Sequence, residues 1–163
     1  MQLNHRLAQE RDLQPVFELY MEPSANAFLT FDPMSIQDFD PTFKSMLADK
    51  NLYVSESAEK VIATYRLIQK AHRQSHILYL GGFTIDKSYK GRGLGFQILE
   101  HIKKEAQSRQ MKRVELTVDT ENVIAINLYR KIGFEIEGKL KNNYRLATTG
   151  KYYDEYLMAL LLQ

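Results

Sequence analysis

Leu94, Ile98, Leu99, Ile102 and Ala106 recur at the three-and-four spacing that lines one face of a helix, which predicts a helix over residues 93–109. Val16, Phe17, Leu19 and Tyr20 lie on and beside the apolar face of an earlier helix, capped by Asp12 and running to about Tyr20. Further helices are predicted near residues 35–48 and 122–131. Runs at 3–9, 52–56, 60–70, 76–85, 112–119, 134–137 and 154–162 read as strands, and residues 139–149 are strand-like too. Residues 57–59 are short enough to turn the second strand into the third as a hairpin. The run at 76–85 is nearly all apolar, the pattern of a strand covered on both faces, so helices are predicted above and below the sheet. Residues 22–33 hold Pro23 and Pro33, which break regular structure, among apolar residues that invite burial. That segment is a candidate to face substrate.

Composition narrows the class. The 163 residues, 44% hydrophobic and 26% charged with eight Gly and four Pro, read as one domain spanning 1–163, without repeats or a linker. No Cys occurs, which excludes thiol nucleophiles, thiolate metal sites and disulfides. The first residues lack an apolar signal segment, and the longest apolar run, residues 156–162, is far short of a membrane span; a cytoplasmic protein is expected. A net charge of +2 argues against nucleic acid or an anionic membrane as partner. The charge is nevertheless uneven: Lys and Arg against Asp and Glu stand at four to eight in residues 1–50, ten to five in 51–110 and eight to seven in 111–163.

The basic excess surrounds Tyr89-Lys90-Gly91-Arg92-Gly93-Leu94-Gly95-Phe96, between the buried strand and a helix. Three Gly in five residues let the backbone approach a ligand closely, and the helix N-terminus adds partial positive charge, which together make an anion cradle suited to phosphate. Lys90 and Arg92 are placed to neutralise a pyrophosphate. A Walker A loop is absent, since Gly150-Lys151 is followed by Tyr152 rather than Ser or Thr. A dinucleotide fingerprint is absent as well, because its last Gly or Ala would fall on Phe96 or Ile98.

The spacing Lys90-x-x-Gly93-x-Gly95 resembles the Q/R-x-x-G-x-G/A motif of the GNAT superfamily of N-acetyltransferases, with Lys90 standing where the family favours Gln or Arg. Asn122-Val123-Ile124-Ala125-Ile126-Asn127-Leu128-Tyr129-Arg130-Lys131-Ile132-Gly133-Phe134 is similar to its second signature, N-x-x-A-x-x-L/F-Y-x-x-x-G-F. The order of predicted elements follows the family too, with its variable acceptor region near residues 21–50. The end of the chain is similar to the branch that includes ribosomal-protein and small-molecule amine acetyltransferases. The resemblance implies an α/β fold with a mixed, mostly antiparallel sheet of about seven strands and helices on both faces. It implies acetyl-CoA as cosubstrate, no metal, and an amine acceptor.

Residue by residue, the resemblance puts the coenzyme's pyrophosphate on Lys90, Gly91, Arg92, Gly93, Leu94 and Gly95. Its pantetheine arm would lie along the backbone of Phe83, Thr84 and Ile85, with Asn122 and Ala125 beside it. The Gly81-Gly82 doublet in a buried strand predicts a bulge or a close ligand approach, and residues 112–119 splaying away would open a gap for the thioester. Tyr129 matches the position that protonates the departing thiolate and also contacts the coenzyme around its sulfur. An alkyl amine titrates near 10, so a base or a desolvating pocket must supply the neutral nucleophile. Many relatives use a Glu on the strand before the loop; none stands there, which leaves His76, Tyr79, Glu56, Asp119 or a water chain. An oxyanion would be met by a strand N–H near Phe83. The acceptor is expected to be a small primary amine, with a protein N-terminus as the alternative and a non-catalytic acetyl-CoA sensor as the rival of another class. An acidic pocket from Glu18, Glu22, Asp32, Asp38 and Asp40 would favour a polycation. The edge-forming residues 139–149 and 156–162 predict a homodimer.

Overall fold

The computed structural model describes residues 2–163. In chain order the elements are β1 (Asn4–Leu7), α1 (Leu13–Met21), α2 (Pro23–Asn26), α3 (Ile36–Ala48), β2 (Leu52–Ser57), β3 (Lys60–Gln69), β4 (Ile77–Ile85), α4 (Leu94–Ser108), β5 (Arg113–Asp119), α5 (Val123–Ile132), β6 (Glu135–Arg145) and β7 (Tyr152–Leu161). The strands form one mixed sheet in the order β1-β2-β3-β4-β5-β7-β6, in which β1–β2, β2–β3, β5–β7 and β7–β6 pair antiparallel and β4–β5 parallel. Among the described residues no helix is long and apolar enough to cross a membrane.

The chain divides into two compact units. The first holds the described residues up to Leu67 together with Gly82–Lys90. Its core brings Val16, Leu19 and Tyr20 of α1 against Phe39, Phe43 and Met46 of α3 and Leu52, Val54 and Val61 of the sheet. Ser35 caps α3, accepting the Asp38 amide at 3.1 Å. Residues 22–33 are mostly exposed, Phe28 among them, and are anchored at one buried point. Asn26 is buried and donates to the carbonyls of Tyr20 and Phe31, both at 2.9 Å, which pins Phe31 beside Tyr20 and Phe39.

Asp12 departs from its predicted role. Its carboxylate makes no cap to α1 and instead takes the Gln9 amide at 2.7 Å and the guanidinium of Arg6 at 2.7 and 3.0 Å. Arg6 also holds Glu56, so β1 and β2 are tied to the start of α1 by a nearly buried ion network. Arg6→Leu would leave the buried Asp12 carboxylate without its cation, and unfolding in urea should show a loss of roughly 2–3 kcal/mol. Arg6 holds the Asp12 carboxyl below the usual carboxylate range despite the opposing effect of burial. The unfolded chain therefore binds the extra proton first as pH falls. The stabilisation is full above about pH 4 and fades as pH drops through the folded pKa, so the variant should lose less stability on acidification than the wild type does.

Ser57 pairs with Lys60, which leaves Ala58 and Glu59 as a two-residue hairpin loop with φ of 48° and 64°. Such turns favour Asn-Gly, and side chains other than Gly or Asn are strained there. Ala58→Asn with Glu59→Gly should raise stability by about 1 kcal/mol in the same urea assay.

The second unit holds Ile68–Gly81 and Gly91–Gln163. Leu94, Ile98, Leu99, Ile102 and Ala106 are all buried on α4, as their spacing predicts. β5 pairs with β7 over its whole length, from Arg113↔Leu161 to Asp119↔Glu155. β6 is much longer than the short strand predicted at 134–137, because the strand-like residues beyond it continue the ladder with β7 through two register shifts. Arg113 grips Glu137 with two hydrogen bonds and Glu115 with a third, and Lys70 adds an ion pair to the buried Glu115.

Candidate functional site

β4 carries the two glycines side by side, and each has a tyrosine against it. A Cβ on Gly81 would lie 3.1 Å from the Tyr79 ring, so this residue makes room for its neighbour's side chain. Gly82 has φ +58°, and a Cβ there would lie 2.6 Å from the Tyr20 hydroxyl. Past this irregularity come the predicted ligand-pairing residues. Thr84 is buried, Phe83 is half-buried with its ring edge-on to Tyr65, and Ile85 lines a cleft.

The loop after β4 is built in two steps. Asp86 accepts the Ser88 amide at 2.8 Å and starts a 3₁₀ turn over Lys87–Tyr89, while Lys60 pairs with Asp86 and lies over the Tyr89 ring. Lys90, Gly91, Arg92 and Gly93 are then exposed. Gly91 and Gly93 take φ of +76° and +75°, and nothing lies within 4 Å of where either Cβ would be. Gly93 is the N-cap of the 15-residue α4 and brings no side chain to cap it. The first bond of that helix runs from the Gln97 amide to the Gly93 carbonyl at 3.2 Å. Helix geometry thus leaves the amides of Leu94, Gly95 and Phe96 without an intrahelical acceptor. Donors, a partial positive charge and open space over two glycines are what a phosphate group needs.

In the second unit, parallel pairing of β4 with β5 runs only from Ile77↔Arg113 to Tyr79↔Glu115, although β5 continues to Asp119. The Tyr79 and Thr117 hydroxyls are 3.1 Å apart and hydrogen-bonded. Tyr129, on α5, is buried with its ring 5.7 Å from that of Phe134. Burial, and to a lesser degree the neighbouring Tyr79, push its phenol above the ordinary tyrosine range. Asn122 caps α5, its Oδ1 accepting the Ala125 amide at 3.2 Å, and Ala125 is half-buried behind it.

The candidate bases separate. Tyr79, Asp119 and His76 belong to the same unit as Tyr129, with His76 exposed just before β4; Glu56, in the first unit, is held by Arg6 and Asn4. Asp119 is buried, accepts the Glu121 amide at 2.6 Å, and accepts the hydroxyl of Tyr144. Burial and this bond to the Asp119 carboxylate push the Tyr144 phenol up, and its ring stacks on Tyr153 at 5.3 Å. Tyr144 is the residue that sequence reasoning missed. Its only signal was a place in a polar, alternating stretch, and its partner lies 25 residues away.

The five acids proposed as one pocket do not form one. Glu18 and Glu22 line a cleft of about 740 Å³ in the first unit. Asp38 turns back to the Ser35 hydroxyl and Asp40 pairs with Lys44, and neither lines that cleft, nor does Asp32. The cleft is of mixed charge: Arg6 pairs with Asp12 and Glu56, Lys60 with Asp86 and Lys87 with Glu22.

Comparison with known proteins adds the relationship. The sequence model of the Acetyltransferase (GNAT) family matches residues 13–134. The L-amino acid N-acetyltransferase AaaT of Escherichia coli K12 is 30% identical over 159 residues, 94% of each chain. The ribosomal protein bS18-alanine N-acetyltransferase of the same organism is 28% identical over 141 residues, 86% of each. Among solved structures, spermidine N-acetyltransferase from Vibrio cholerae, in complex with CoA and spermine, superposes with a TM-score of 0.85 at 21% identity, over 98% of this chain and 95% of that one.

Proposed function

The chain belongs to the GNAT acetyltransferase family, and from that premise we propose that it moves the acetyl group of acetyl-CoA to the primary amine of a small molecule, an amino acid before a polyamine. At the coarser level it is an acetyl-CoA-dependent N-acetyltransferase. The observation that carries the reading is the loop at residues 90–95, where the left-handed Gly91 and Gly93 leave open space at the uncapped start of α4. That is a fit for a pyrophosphate, whose oxygens would take the amides of Leu94 and Gly95 with Lys90 and Arg92 adding charge. Lys90 serves as a point charge where an Arg would offer a planar fork.

Main-chain groups of Phe83, Thr84 and Ile85 would pair with the pantetheine arm. Asn122 gives its Oδ1 to the helix cap, so its contribution to the arm would be the Nδ2 donor, and Ala125 keeps that approach unobstructed. Acetyl-CoA, when bound, supplies an acyl group activated on sulfur. Tyr129 holds a proton to give to that sulfur, and its raised pKa keeps the phenol protonated at neutral pH. Tyr79, Asp119 and His76 are the groups of the same unit that could take the proton the amine must lose.

The small acceptor rests on the likeness to the E. coli L-amino acid enzyme along nearly the whole of both chains. A peptide N-terminus is the second reading, and the likeness to the ribosomal-protein enzyme favours it. Thiol release from acetyl-CoA, measured against L-amino acids, polyamines and an alanine-starting peptide, separates them. An amino acid should give a kcat/KM at least about tenfold above that of the peptide. A peptide in the lead would overturn the small acceptor, and binding of acetyl-CoA without thiol release on any amine would leave a sensor.

A further inference from the structure

Tyr20 is fully buried on α1, its ring fixed by an edge contact with Phe39 at 5.9 Å and by Phe31 at 5.6 Å. Among the described residues its hydroxyl has no aligned hydrogen-bond partner. Thr64 lies beside it and eases its burial, and donates its own proton to the Tyr53 carbonyl at 2.9 Å. A Phe would fill the same core without a buried hydroxyl that has no aligned partner, so the oxygen itself calls for an account. Its position supplies one, because it lies where a side chain of Gly82 would begin, 2.6 Å from the ideal Cβ, and Gly82 has the φ of +58° that only a residue without Cβ adopts easily.

We propose that Tyr20 is a positioning residue for the acyl-transfer site: its hydroxyl occupies the side-chain space of Gly82 and props the turned backbone there, which sets the direction of Phe83, Thr84 and Ile85. Tyr20, Gly82 and residues 83–85 all lie in the first unit, so the device is local. Burial pushes the phenol up to about 12, so it stays neutral and acts by shape rather than charge. The proposal rests on the reading that residues 83–85 hold the pantetheine arm of acetyl-CoA.

The test compares wild type, Tyr20→Phe, Gly82→Ala and the double variant by melting temperature and by KM for acetyl-CoA against kcat in the thiol-release assay. Tyr20→Phe should keep or raise the melting temperature while KM for acetyl-CoA rises at least fivefold, a split that a merely structural hydroxyl would not produce. Gly82→Ala should raise KM at least tenfold. Removing the oxygen leaves Cζ, 3.3 Å from the new methyl, as the nearest atom, so the double variant should recover part of that loss. Tyr20→Phe kinetics equal to wild type, whatever Gly82→Ala does, would overturn the proposal and leave the acetyltransferase reading intact. A wild type that neither binds acetyl-CoA nor releases thiol would overturn that reading and this proposal with it.

Discussion

Replacing Gly93 by valine should abolish the rise in melting temperature that acetyl-CoA gives the wild-type protein. At a ligand concentration of about a hundred times Kd, binding to the folded state alone is worth about 2.7 kcal/mol, which for a chain of this size corresponds to roughly 5–10 °C. The substitution acts on the loop rather than on the core. Nothing lies within 4 Å of the new Cβ, so no packing is lost. Its φ of +75° is nonetheless strained for a β-branched residue, at about 1–3 kcal/mol, and the added methyl groups stand in the space over the open amides of α4. The unliganded variant should therefore melt a few degrees lower and still unfold cooperatively, while the ligand shift falls below about 1 °C. Dephosphorylated pantetheine, which lacks the pyrophosphate, should shift neither protein much. A full shift in the Gly93 variant would remove residues 91–95 from the coenzyme's contacts.

What could be read from the sequence was whatever depends on neighbours. The buried positions of α4, the hairpin between β2 and β3 and the glycine-rich start of α4 each follow from spacings of a few residues. Contacts across long separations were hidden. Asp12 looks like a helix cap until Arg6 and Glu56 are brought beside it. The Gly81-Gly82 doublet announces an irregular strand, but the reason at Gly82 is Tyr20, on another element. Asp119 was visible as a carboxylate at a strand end, whereas its bond to Tyr144 depends on the ladder that folds β6 back on β7. The proposed acidic pocket failed for the same reason: charges counted along the chain do not record that Asp40 would turn to Lys44 and Asp38 to Ser35.

Tyr129→Phe should separate binding from chemistry. The phenylalanine keeps the ring against Phe134 and the buried packing of α5, and deletes the one proton this side chain can give. Affinity for acetyl-CoA should change by less than about tenfold, in line with one hydrogen bond at most. Turnover should fall by about 10²–10⁴, or roughly 3–5 kcal/mol of barrier, the usual worth of general acid catalysis. The pH profile adds a second check with a definite sign. Because burial raises the Tyr129 pKa, the phenol is still protonated where a free tyrosine would ionise, so wild-type kcat should show no loss attributable to this acid until pH exceeds about 10. An acid limb falling near neutrality would belong instead to the group that deprotonates the amine. Where the chemical step limits turnover, a kcat within a few-fold of wild type in the phenylalanine variant would reduce Tyr129 to a packing residue and leave the thiolate to take its proton from solvent.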